Sequence, residues 1–113
     1  MLRGSKTTGK RDQLRDALRT GHHDEALRLY ANLQKAEPSE PRWALRKGDL
    51  LLRMDRTSEA IEAFERAVEL YAAQGFVARA AAMAKVVIHI DSSRTDLLER
   101  AYSEEAHLPH RAN

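Results

Sequence analysis

Arginine at four-residue spacing is the strongest chemical pattern in this chain. Arg11, Arg15 and Arg19 fall on one face of any helix that carries them, and Arg42 and Arg46 repeat the spacing further along. Each guanidinium is a planar fork of donors matched to carboxylate or phosphate oxygens. Two readings stand for such a row. It is a trough for an acidic peptide or anionic group, or it is an ordinary charged face with Arg15 and Arg19 paired to Asp12, Asp16 or Asp49. A desolvated contact contributes about 1.5–3 kcal/mol and an exposed one nearly nothing, so burial decides between them.

The other candidates for chemistry are weaker. His22-His23-Asp24 has metal-ligating side chains, but neighbours on a turn do not converge on one ion, and no third ligand is placed by spacing. His107 and His110, on either side of Pro109, receive the same reading. Glu59, Glu62, Glu65 and Glu69 form one helical stripe with Arg66 among them, which reads as a solvated face rather than an acid/base pair. The chain has no Gly-rich phosphate loop, nucleophile elbow or metal-binding helix motif. The expectation is a chain that is not an enzyme and needs no metal and no cofactor.

With 113 residues there is room for one modest domain and its core, not for two. Charged residues at 32% beside 42% hydrophobic ones, with few Gly and Pro, argue for a soluble helical protein over a disordered one. Cysteine is absent, which excludes disulfides and thiolate metal sites and fits a reducing compartment. No apolar run approaches membrane-spanning length, and Met1 to Lys6 lacks the apolar centre of a signal peptide. The expected address is cytoplasmic. The formal charge of +2 is a mild bias carried mostly by arginine, as an Arg- and Ala-rich bacterial composition produces.

Six helices follow from the periodicity, with no segment reading as a strand. Residues 1–9 are polar and basic and read as a disordered lead-in, and the helical pattern begins at Lys10 with Leu14, Ala17 and Leu18 on one face. Gly21 ends that helix and Asp24 is the N-cap candidate of the next, which turns Ala26, Leu27, Tyr30 and Leu33 inward. Pro38-Ser39-Glu40-Pro41 is a firm break. The third helix carries Trp43, Ala44, Leu45, Gly48, Leu51 and Leu52. The fourth, with Ser58 as its cap, carries Ala60, Ile61, Phe64, Ala67, Val68 and Tyr71. Gly75 precedes a fifth helix to Ile90 that is apolar almost all round, interrupted by Arg79, Lys85 and His89. The sixth runs from about Arg94 to Ala106, with Leu97, Leu98, Ala101 and Tyr102 on one face. Residues 109–113 read as a frayed end.

Two of these helices carry the same pattern 34 positions apart: Glu25 falls on Glu59, Ala26 on Ala60, Tyr30 on Phe64 and Leu33 on Ala67. A fixed period of this length marks stacked helical hairpins, each too small to bury both faces alone. Gly48 stands where two helices must approach closely, Ala26 and Ala60 at the crossing, Tyr30 and Phe64 between the helices, and Pro38 after the second helix. With Leu98 and Ala101 as a partial third copy, the chain resembles the tetratricopeptide repeat family over about Thr7 to Leu108. Departures are Leu14 for a glycine, Leu33 for an alanine, Ala72 for a closing proline, and Arg94 at a small crossing position. The resemblance implies an all-α superhelical solenoid of about three hairpins, at about 7–40, 41–74 and 75–108, within a domain of residues 10–108.

In that family the first helices of the repeats line a groove that takes a peptide. Position by position, the resemblance places Arg11, Arg15, Leu18 and Arg19 there from the first repeat. It adds Arg42, Leu45, Arg46, Asp49 and Arg53 from the second, and Phe76, Arg79 and Met83 from the third. The variant that grips chaperone C-termini has asparagine where Arg15 and Arg46 stand and basic residues where Phe76 and Ala80 stand, so that activity is disfavoured. The implied function is a scaffold or adaptor binding a partner protein or acidic peptide, of the kind found as a regulatory or localisation module of bacterial signalling proteins. Two alternatives remain: self-association through the apolar helix Phe76 to Ile90, against its being sandwiched between the fourth and sixth, and nucleic-acid binding by the basic N-terminus. Near-balanced charge and few exposed aromatics weigh against the second.

Overall fold

The computed structural model describes residues 6–106. They form six α-helices: α1 Lys6–Thr20, α2 His23–Ala36, α3 Pro41–Arg53, α4 Thr57–Ala73, α5 Val77–Ile90 and α6 Asp96–Ala106. Among the described residues there is no strand, and the helices pack in chain order, with α6 also lying on α4. The all-α hairpin architecture matches the one implied by the 34-residue echo.

The echo extends to the backbone of the turns. Gly21 and Asp55, 34 positions apart, both adopt the left-handed conformation, with φ of 77° and 60°. In each turn the next residue's N–H reaches back five positions, His22 to the Ala17 carbonyl and Arg56 to that of Leu51, both at 2.9 Å. Gly75, with φ of 84°, repeats the device between α4 and α5, where the Phe76 N–H donates to the Tyr71 carbonyl at 2.9 Å. This closure satisfies the last carbonyls of one helix and starts the next within two residues.

Several sequence-based boundaries shift as a result. The residue before α2 is His22, not Asp24, and the one before α4 is Arg56, not Ser58; neither caps its helix with a side chain. Asp24 instead lies in the first turn of α2, where its charge favours the helix N-terminus. Helix α1 begins at Lys6, so residues 6–9 of the expected lead-in are helical, while α6 begins at Asp96 rather than Arg94. Residues 1–5 of the lead-in, His107, His110, Pro109 and the 109–113 end lie outside the described residues. The Pro38–Pro41 break holds: Glu40 accepts a hydrogen bond from the Arg42 N–H at 3.1 Å, and Pro41 opens α3 where no donor is needed.

Helix α3 joins two apolar clusters. Trp43 and Leu50 pack with Leu14, Ala17, Ala26, Leu29, Tyr30 and Leu33 of the first hairpin. Leu51 packs with Phe64, Val68, Ala84, Val87, Leu97 and Ala101 of the later helices. The joint is tight where α3 crosses α4. A Cβ on Gly48 would sit 2.5–2.9 Å from three ring atoms of Phe64, whose side chain is essentially fully buried.

Helix α5 is covered by α4 on one side and α6 on the other, which accounts for most of its apolar surface. Phe76 and Val86 remain exposed. The acidic stripe of α4 is not simply solvated. Glu65 pairs with Arg94 at 3.5 Å and Arg100 at 2.6 Å, Glu69 also receives Arg100, and Asp96 accepts from Arg94 at 2.9 Å. Arg94, out of place as a small crossing residue, thus serves as a latch between α6 and α4.

The Gly48–Phe64 contact sets a stability test by chemical denaturation. Phe64→Ala is expected to cost about 3–5 kcal/mol. Gly48→Ala is expected to cost about 1–3 kcal/mol through overpacking, despite a gain of about 1 kcal/mol in helix propensity. Adding Phe64→Leu to Gly48→Ala should recover part of that loss; additive effects of the two changes would show that the residues do not bear on each other.

Candidate partner-binding crevice

The i, i+3, i+4, i+7 stripe of α1 carries Arg11, Leu14, Arg15 and Leu18, and the first turns of α3 carry Arg42, Trp43 and Arg46. With Tyr30 of α2 they line a crevice of about 310 Å³ between the two hairpins. Trp43 is only 2% exposed, yet three guanidinium carbons approach its ring centroid: Arg42 at 4.7 Å, Arg11 at 5.1 Å and Arg46 at 5.8 Å. Each such contact is worth about 0.5–1 kcal/mol at a partly exposed site, but three cations around one ring also repel.

Two carboxylates offset that repulsion. Glu37, one residue beyond α2, accepts the Trp43 indole N–H at 2.8 Å with one oxygen and pairs with Arg11 at 3.1 Å with the other. It therefore ties α1 to α3 from a position belonging to neither. Glu40 holds Arg42 at 3.2 Å. A wider depression continues past Arg11 and Arg42 along Pro38, Ser39 and Gln74, and the Gln74 side chain donates to the Ser39 carbonyl.

The remaining two arginines are differently placed. Arg15 meets Asp12 at 3.5 Å with both side chains largely exposed, 75% and 67%. At that exposure the pair contributes little. Arg46 has no carboxylate within 4.0 Å among the described residues, where every other arginine lining the crevice has one. Burial pushes the Tyr30 phenol up from its ordinary value, opposed by the fields of Arg46 and Arg53. The Nε of Arg42 is buried without a hydrogen-bond partner.

The crevice gathers Leu18 and four of the arginines expected from the sequence and leaves the other groove residues elsewhere. Arg19 pairs with Asp16 at 3.3 Å on the exposed side of α1. Asp49 and Arg53 lie close enough to act on Tyr30 but do not line the crevice. Arg79 stacks on Phe76 at 5.4 Å at the start of α5, and Met83 packs on the second apolar cluster. Trp43, Tyr30 and Glu37 were not among the expected site residues. The Arg42-Trp43 adjacency and the three-residue step from Trp43 to Arg46 carried the signal for the stack. Elsewhere, the His22 ring shares a hydrogen bond with the Thr20 hydroxyl at 2.6 Å, and no three metal-ligating side chains converge among the described residues.

A family model described as tetratricopeptide repeat matches residues 11–75, more than half of the chain. The chain belongs to the tetratricopeptide repeat family. Neither a curated protein nor a solved structure matches it. The matched segment runs from Arg11 to the turn at Gly75, so both walls and the floor of the crevice lie within its two tetratricopeptide hairpins, while α5 and α6 lie beyond it. Repeats of this family mediate protein–protein interaction, typically without catalysis. No described helix is long and apolar enough to cross a membrane.

The brace at Glu37 makes a direct prediction, because Trp43 is the only tryptophan. Glu37→Ala should shift Trp43 emission to the red and cost about 1–3 kcal/mol, the range for a partly buried donor deprived of a charged acceptor. Asp12→Ala, by contrast, should leave emission and stability within about 0.5 kcal/mol of the parent. Unchanged emission in Glu37→Ala would show that the indole is not held by that carboxylate.

Proposed function

We propose that this tetratricopeptide repeat chain is a non-catalytic adaptor that holds an acidic segment of a partner protein in the crevice between α1 and α3. The observation that carries this reading is the convergence of Arg11, Arg15, Arg42 and Arg46 on one Trp43-floored cavity. Two of the four are already held by internal carboxylates and act as structure. Arg15 and Arg46, on opposite walls, are the two whose charge is left for a ligand. The depression beside the crevice gives an extended segment room to continue past Pro38 and Ser39.

Trp43 is too buried to offer a face to a nucleic-acid base, which favours a peptide over a single strand. In this reading the chain serves as the regulatory or localisation module of a signalling system, and its partner carries a short acidic stretch.

The test is a quantitative pull-down comparing the parent with Arg15→Glu/Arg46→Glu, and with Arg28→Glu as a charge control on exposed α2. The reading predicts that proteins retained by the parent and by the control fall at least tenfold in the double variant, and that their retention weakens with salt. Equal yields of the same proteins from all three would remove the crevice from the binding surface.

A further inference from the structure

We propose that the crevice recognises a phosphorylated side chain of the partner in preference to a carboxylate, with the phosphoryl group bridging Arg15 and Arg46. This rests on the reading of the crevice as the partner's seat and adds the chemistry of the residue it reads.

The charge balance of the walls carries the inference. Arg11 and Arg42 are occupied by Glu37 and Glu40 at 3.1 Å and 3.2 Å and stack on Trp43. Arg46 has no carboxylate within 4.0 Å among the described residues, and Arg15 has only the exposed Asp12 at 3.5 Å. Releasing Asp12 to water costs little, so two whole positive charges on facing helices await an anion. One carboxylate has two oxygens and one charge; it fills one guanidinium fork and leaves the other uncompensated. A phosphoryl group brings about −1.5 to −2 charges and three acceptor oxygens. Two oxygens meet the two forks, and Tyr30 of α2 lines the same cavity. The cavity of about 310 Å³ has room for a phosphorylated side chain.

The test uses the full chain, Trp43 emission as readout, and two matched probes: an acetylated Gly-phosphoserine-Gly peptide and its Gly-Glu-Gly counterpart. The phosphopeptide is expected to bind at least tenfold tighter. Arg15→Gln and Arg46→Gln should each bring the two peptides to parity, while Arg28→Gln should leave the preference intact. Because Arg15 and Arg46 are both exposed, these variants are expected to fold, which circular dichroism checks. Equal binding of the two peptides, weakened in both variants, would overturn the phosphoryl preference and leave the acidic-partner reading standing. Inorganic phosphate binding as tightly as the phosphopeptide would replace the partner side chain by a free anion and overturn the proposal. A preference that survives both variants would place it elsewhere on the surface. Binding of neither peptide would overturn this proposal and the acidic crevice together.

Discussion

The close approach of α3 and α4 at Gly48 and Phe64 governs everything else in the chain. There is no room for a single methyl group between them, so the angle and depth of that crossing are fixed by contact rather than by adjustable side chains. Helix α3 sends Trp43 and Leu50 into one apolar cluster and Leu51 into the other. Any movement of α3 on α4 is therefore a movement of Trp43, Arg42 and Arg46 relative to α1. The α3 wall of the crevice is thus seated on a joint with no room for a methyl group.

On that joint the chain builds a cationic site around a buried aromatic ring. Indole burial needs a partner for its N–H, and clustered guanidiniums need negative charge nearby. Glu37 supplies both, since its carboxylate accepts from Trp43 of α3 and from Arg11 of α1. Helix α6 is held by another arrangement of the same kind of bond, with Arg94 just before it and Arg100 within it reaching Glu65 and Glu69 of α4 while Asp96 pairs with both arginines. In both places arginine paired to a carboxylate serves the stack. Which arginines are held by carboxylates thus follows from what the stack brings beside them, not from their positions along a helix.

Hairpins and core were legible in the sequence because a 34-residue period aligns small and aromatic residues that can only be explained by repeated helix crossings. Helix starts were not legible from capping residues. Asp24 and Ser58 have cap-forming side chains, yet the left-handed turns at Gly21 and Asp55 close with a backbone hydrogen bond that starts the next helix earlier. Residues 6–9 looked like a tail by composition, but α1 extends through them. The arginine rows were visible from spacing, whereas Glu37 was not, because it lies 26 positions from Arg11 and only the stacking of one hairpin on the next brings them together. Phe76, Arg79 and Met83 were assigned to the groove by family correspondence; they lie beyond the matched segment and do not line the crevice, and neither do Arg19, Asp49 and Arg53 within it.

The central claim is that Arg15 and Arg46 meet a ligand while Arg11 and Arg42 hold the site. Arginine side-chain N–H resonances, followed by NMR as an acidic peptide is added, separate these roles residue by residue. Arg15, Arg46 and the Trp43 indole should move together and saturate at one affinity, with Arg28, Arg66 and Arg100 stationary. Uniform small shifts across all arginines, or saturation at a set that excludes Arg15 and Arg46, would contradict the account.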